Sequence, residues 1–147
     1  MTQPDTSRKL RLGAFIMATG HHVAAWRHPG SQVDSGVNID HYIEVAKTAE
    51  RGLFDQVFVA DSPGVWHKGD RESFSRQGRI SHFEPVTLWA ALSVVTKHIG
   101  FVATASTTYE DPYLLARKFA SLDHISKGRA AWNLSLIHIS EPTRPER

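Results

Sequence analysis

Apolar positions along the chain alternate between short continuous runs and helical stripes. Leu10 to Ala18 (LRLGAFIMA) is mostly apolar and too short for a helix, which predicts a buried strand. Thr19 to Val37, rich in Gly, His and Ser and containing His28-Pro29-Gly30, predicts a long loop. From Asn38, a residue suited to an N-cap, the period becomes helical. Ile39, Tyr42, Ile43, Ala46 and Leu53 share a face, and Arg51-Gly52 ends the run. Phe54 to Ala60 (FDQVFVA) predicts a second strand that closes on Asp61. Ser62 to Phe83 is 22 residues of mainly Gly, Ser, Arg, His and Asp, a length typical of functional lids or disordered segments. Pro85 fits the first turn of a second helix, with Leu88, Trp89, Leu92, Val95 and Ile99 at helical spacing and Gly100 near the stop. Ile99 to Ala105 (IGFVATA) predicts the third strand. Asp111-Pro112 is an N-cap followed by Pro at the first helical position; Leu115, Phe119 and Leu122 form the stripe, and Lys127-Gly128 breaks it. Arg129 to Asn133 (RAAWN) opens a fourth strand.

Strand and helix thus alternate three times before a last strand, the order of a parallel sheet with helices packed outside it. Two α/β architectures compete, a doubly wound open sheet and a (β/α)8 TIM barrel. No Gly-x-Gly-x-x-Gly follows the first strand, which weakens a dinucleotide-binding open sheet. A barrel needs about 250 residues. On that reading the chain holds only the N-terminal half, three βα units plus a fourth strand.

Composition narrows the function. A 41% hydrophobic, 22% charged chain of 147 residues is ordinary for one soluble domain, so disorder throughout is excluded. A net charge of +2 without a basic cluster gives no footprint for nucleic acid. The absence of cysteine removes disulfides, thiolate catalysis and cysteine-based zinc sites. The first apolar run is too short for a signal peptide or membrane span, so a soluble cytoplasmic protein is expected.

In both architectures ligands bind beyond the C-terminal ends of the strands. Gly20-His21-His22, Asp61, Ser106-Thr107-Thr108-Tyr109 and Asn133 occupy those places. Each also has a structural alternative. His21 and His22 can be polar loop residues. As adjacent histidines they point apart and lack a carboxylate for a metal, so no metal site is expected. Asp61 can cap a loop, and Ser106 to Thr108 can bond their own backbone. Convergence of short donors and acceptors on one rim instead suits a ligand with many polar edges, such as a flavin with its ribityl phosphate. Among the tryptophans, Trp89 is expected in the core. Trp26 and Trp66 either plug loops or line a pocket, and Trp132 faces the core or the barrel interior.

Four segments carry a resemblance: GHHVAAWRHPGS (Gly20 to Ser31), AERGLFDQVFVAD (Ala49 to Asp61), FEP (Phe83 to Pro85) and ATASTTYEDPYLLARKFASLDHISKGRAAWN (Ala103 to Asn133). In this order they resemble the nitrilotriacetate monooxygenase branch of the luciferase-like flavin-dependent monooxygenases, across Leu10 to Asn133. The resemblance implies a (β/α)8 barrel roughly three times this length. It implies reduced FMN from a separate NAD(P)H-dependent flavin reductase, and O2 as the source of one oxygen atom inserted into a small organic substrate. Aminopolycarboxylates, sulfones and alkanes are the substrate types, and a homo-oligomeric parent is compatible. Asp61 matches the acidic position beside the flavin, Thr107 with adjacent Ser106 the hydroxyl position, and His21 an active-site histidine that donates a hydrogen bond or positions substrate. Two alternatives stay open, a non-catalytic flavin-binding half-barrel and a deazaflavin-dependent oxidoreductase of the same fold.

After Asn133 the chain departs from that pattern and reads LSLIHISEPTRPER. An ordinary divergent strand with a polar tail is one reading. Leu134 to Arg144 also matches the translation of a common transposase sequencing adapter. The expectation is therefore a barrel segment over 1–133, a non-native read-through tail over 134–147, and no activity in these 147 residues alone.

Overall fold

A computed structural model describes residues 9–22, 24–62, 72 and 81–135. Among the described residues the strands are β1 (Gly13–Phe15), β2 (Gln56–Val59), β3 (Gly100–Ser106) and β4 (Ala130–Ser135). Between them run α1 (Ile39–Arg51), α2 (Pro85–Ser93) and α3 (Pro112–Ser126). A single 3-10 turn, Ala25–Arg27, interrupts the loop after β1. No helix among the described residues is long and apolar enough to cross a membrane.

Short polar side chains start each helix where the sequence places them. Asn38 accepts from the His41 amide at 3.1 Å, and Asp111 from Tyr113 and Leu114 at 2.9 and 3.2 Å. Glu84 caps α2 through Val86 and Thr87 at 2.9 and 2.7 Å, with Pro85 at the first helical position. At the end of α3, Lys127 and Gly128 turn left-handed (φ 60° and 81°), and the Gly128 amide returns to Asp123 at 2.9 Å. Glycine suits that position because it carries no Cβ.

All strand pairs are parallel and their spatial order is β1-β2-β3-β4. A doubly wound sheet reverses its order at a switch point. This sheet does not. Strand residues alternate between its faces. Val57, Val59, Phe101 and Ala103 pack with Tyr42 and Ala46 of α1, Trp89 and Leu92 of α2, and Leu122 of α3 in one buried core. On the opposite face Phe15 meets Phe58, ring centroids 4.8 Å apart. Sequential order with helices on one face is the arc of a barrel.

Several boundaries differ from the sequence expectation. β1 starts later than Leu10 because Asp55 captures Leu12 through its amide at 2.7 Å and Arg11 through Nη1 at 2.9 Å, and it ends before Ala18, where the Gly20 amide turns back to the Met17 carbonyl at 2.8 Å. Leu53 is 84% exposed and left-handed (φ 59°), so it lies beyond α1 and leaves the buried stripe. α2 ends at Ser93, where the Ser93 and Thr96 hydroxyls return to Ala90 and Leu92 carbonyls at 2.9 Å each. Val95 is therefore outside the helix, while Ile99 is buried at the base of β3. Leu134 and Ser135, assigned to the departing tail, complete β4 opposite Ala105 and Ser106. Residues 136–147, and Trp66 in the long connection, lie outside the described residues.

At the N-terminal end of the sheet two side chains tie the layers. Glu50 accepts the Lys97, His98 and Ile99 amides at 2.8, 2.6 and 3.1 Å. Arg129 donates to Ser126, Ile99 and Ser93 carbonyls at 2.6, 2.8 and 2.7 Å and to the Thr96 hydroxyl at 3.0 Å.

Candidate functional site

The face of the sheet away from the helices is apolar low down and polar toward the C-terminal strand ends. Register places Phe15, Phe58, Val102 and Ala131 side by side in one row. Two residues further along, Thr104 pairs with Asn133, and after that Ser106 with Ser135. Asn133 donates to the Thr104 hydroxyl at 3.1 Å, and Thr104 donates to the Val59 carbonyl at 2.8 Å. One hydrogen-bonded line thus crosses β4, β3 and β2 above an aromatic floor. Neighbouring strands lie about 4.8 Å apart.

The candidate residues occupy this rim on successive strands. His21 follows β1, and its Nε2 donates to the Phe15 carbonyl at 3.0 Å while the two rings meet edge-on at 4.7 Å. That bond leaves Nδ1 as the ring's second polar atom. Asp61 lies two residues past β2, and Thr107 directly follows β3, half-buried. Ser106 is the last residue of β3 rather than a loop residue, and it is buried. Its hydroxyl accepts the Thr108 amide at 3.1 Å and so shapes the turn that presents Thr107. The structure brings these residues to one end of the sheet, where His21 and Ser106 bond to backbone groups close in sequence.

Asp61 has a partner that the sequence did not reveal. His82 donates from Nε2 to Asp61 Oδ1 at 2.8 Å, with side chains 37% and 22% exposed respectively. The His82 hydrogen bond holds the Asp61 carboxyl below its ordinary value against the opposing effect of burial, and a Ser62 amide helps. The same bond raises the His82 imidazole above its ordinary value, again against burial. The two are 21 positions apart across the long connection, where no periodicity signals pairing. Among the described residues no three His, Asp or Glu side chains are placed to share a metal ion.

Trp89, fully buried as expected, donates to the Val102 carbonyl at 2.9 Å. Trp132 points to the helix side, its ring 5.1 Å from Phe119. Trp26 lies in the 3-10 turn, with the Arg27 guanidinium 6.0 Å from its ring.

Similarity to known proteins agrees with this geometry. The chain is 51% identical over 131 residues to N-acetyl-S-(2-succino)cysteine monooxygenase of Bacillus subtilis (strain 168), covering 88% of this chain and 28% of that protein. It is 42% identical over 134 residues to nitrilotriacetate monooxygenase component A of Aminobacter aminovorans, covering 87% and 30%. Among solved structures, a riboflavin lyase with modified FMN and riboflavin superposes with a TM-score of 0.76 at 35% identity, over 87% of this chain and 30% of that one. The chain therefore spans about 30% of the length of the proteins it matches. Residues 15–135 match the luciferase-like monooxygenases, and the chain belongs to that family.

Proposed function

We propose that the full-length protein carrying this segment is a reduced-FMN-dependent monooxygenase that inserts one oxygen atom of O2 into a small organic substrate. The carrying observation is the aromatic floor of Phe15 and Phe58 beneath the polar rim of Asp61, Ser106, Thr107 and His21. An apolar surface edged by carboxylate and hydroxyl groups is chemically matched to a fused-ring cofactor with polar edges. Asp61 and Thr107 would hold the FMN, with Ser106 shaping the turn that presents Thr107, and His21 would act on the substrate side. Bound reduced FMN supplies the electrons that activate O2. His21, anchored through Nε2, offers Nδ1 to orient a substrate or relay a proton. Substrate types are small aminopolycarboxylates, sulfones or alkanes. The relative named for N-acetyl-S-(2-succino)cysteine adds a sulfur-bearing carboxylate as the first to try. A relative named as a component A supports a separate partner, which we take as an NAD(P)H-dependent flavin reductase, working in the cytoplasm.

Reduced-FMN titration of the full-length protein tests the assignment, with product and hydrogen peroxide measured in parallel. Asp61→Ala or Thr107→Ala should weaken reduced FMN by roughly three- to tenfold. His21→Ala should leave affinity nearly intact and shift turnover toward hydrogen peroxide. Wild-type affinity in Asp61→Ala together with lost binding in His21→Ala would reverse the roles. The same reading takes 134–147 as read-through, with Leu134 and Ser135 paired because their alternation suits a strand end. Recovery of those codons from independently cloned genomic DNA would disprove that part.

A further inference from the structure

We propose that His82 is a positioning residue of the rim, whose imidazole closes an ion pair with Asp61 so that the flavin meets a neutral pair rather than a bare carboxylate. The proposal rests on the flavin-binding reading of Asp61 above and adds a residue outside the strand-end positions that carried it.

The geometry comes first. His82 is delivered to Asp61 by a backbone clasp between two loops. The Phe83 amide donates to the Gly36 carbonyl at 3.1 Å, and the Gly36 backbone lies so close that a Cβ there would sit 2.1 Å from the Ser81 carbonyl oxygen. Only glycine permits that approach. On the other side of the clasp Phe83 packs edge-on against the buried Tyr42, centroids 6.0 Å apart. His82 is therefore held between Ser81, whose carbonyl lies against Gly36, and the docked Phe83 ring, with the Glu84 cap of α2 directly after. Its Nε2 lies 2.8 Å from Asp61 Oδ1, a charge-assisted distance.

The electrostatics follow from the neighbours. Among the described residues Asp61 is the charged group that acts on His82. On the loop after β1, Asp34 is bonded to Gln32 and to Asn38. On α1, His41 packs edge-on to Tyr42, and on α2 the Glu84 carboxylate is taken by the Val86 and Thr87 amides. A reduced flavin ring is electron-rich and loses its N1 proton near neutral pH. An unpaired carboxylate at the rim would repel that form more than the oxidised one. With His82 charged, the pair is neutral and the discrimination disappears. As pH rises through the raised His82 value, above 6.5, the carboxylate becomes unpaired.

The test compares wild type, His82→Gln and His82→Arg in the full-length protein. Kd for reduced and oxidised FMN is measured at about pH 7, where the reduced ring is already partly anionic, and at about pH 8.5. The histidine ring resonances of the apoprotein are followed by NMR through the same range. In wild type, reduced-FMN affinity relative to oxidised should fall about three- to tenfold at the higher pH. His82→Gln should show the weak value at both, and His82→Arg the strong value at both. His82→Arg, whose charge does not change over this range, records the flavin's own titration and is the reference for the other two proteins. The His82 ring should titrate above 6.5 and return toward that value in Asp61→Asn. If His82→Gln matches wild type at both pH values while Asp61→Asn still changes FMN affinity, His82 is only a loop contact and the proposal fails with the flavin site standing. If wild type binds neither form of FMN, the flavin reading fails and this proposal with it.

Discussion

The two ends of the sheet use polar side chains in opposite ways. At the N-terminal end Glu50 and Arg129 bond mainly to backbone groups, seven of the bonds described above linking α1, α2, α3 and the start of β3. At the C-terminal end two side-chain pairs stand out, Asp61 with His82 and Asn133 with Thr104, beside the backbone bonds of Thr104, His21 and Ser106. Backbone amides and carbonyls cannot move away without unfolding a layer, so the first end is committed to stability. Side-chain pairs can exchange one partner for a ligand, so the second can bind. Barrel enzymes place chemistry at the C-terminal face and stability at the other. Here the Asp61–His82 and Asn133–Thr104 side-chain pairs mark the second end.

The strongest way to break this division is to remove Arg129. Arg129→Ala strands the Ser93 and Ile99 carbonyls, takes one of two partners from the Thr96 hydroxyl, which keeps its bond to Leu92, and removes a guanidinium 5.2 Å from the Phe101 ring. A loss of roughly 3 kcal/mol is expected in denaturant unfolding of the full-length protein. FMN affinity of the remaining folded fraction should stay within twofold or so. A large affinity loss in a fully folded variant would show that the two ends are not independent.

Glu50→Gln comes next. Burial raises the Glu50 carboxyl, but the His98, Lys97 and Ile99 amides outweigh it and hold it below its ordinary value of 4.5. Its contribution is present above that value and is lost as pH falls through the lowered one. The amide replacement keeps the shape and loses the charge, so about 1–2 kcal/mol should disappear near neutral pH. Acid unfolding curves of wild type and variant should converge below pH 4.5, and parallel curves would contradict the assignment.

How much of this was written in the sequence depends on range. Asn38, Asp111-Pro112 and Lys127-Gly128 act on groups within a few residues, so their types announced the helix ends. The parallel sheet followed from alternation, and the strand-end positions of His21, Asp61 and Thr107 followed from the sheet. Glu50 and Arg129 gave no signal, because a charged residue at a helix end or strand start looks solvated until its distant partners are known. His82 was hidden for the same reason: its partner lies across a connection whose sequence carries no periodicity. At Val95 and Leu53 the apolar spacing runs on after the backbone has left the helix, so spacing alone places them on the buried stripe.

At the rim, Asp61→Asn should barely change stability. The pair is partly exposed, and such pairs contribute about 0.2–1 kcal/mol. That contribution is greatest between the ordinary values of 3.8 for Asp61 and 6.5 for His82. Below this window it is lost as pH falls through the lowered Asp61 value; above it, as pH rises through the raised His82 value. Thermal unfolding across pH 3 to 9 (about one unit per step) should show a small wild-type excess confined to that range. An excess spread evenly over pH would mean that the pair is closed by packing rather than charge.

The finest distinction lies between two adjacent hydroxyls. The family resemblance treats Ser106 and Thr107 as one hydroxyl position, yet Ser106 is buried and accepts the Thr108 amide, whereas Thr107 is half-buried beyond the strand. Ser106→Ala leaves that amide to water, since Thr108 is exposed, so stability should fall by no more than about 1 kcal/mol. Without the bond the turn gains freedom, and part of the binding energy must reorder it. Reduced-FMN affinity should therefore fall about twofold, against the three- to tenfold expected for Thr107→Ala. The double variant separates shape from contact. If Ser106 acts through the turn, the two effects are coupled and the double variant loses little beyond Thr107→Ala. If both hydroxyls touch the ligand, the losses multiply, and Ser106 belongs with Asp61 and Thr107 as a direct contact rather than a shaper of the turn.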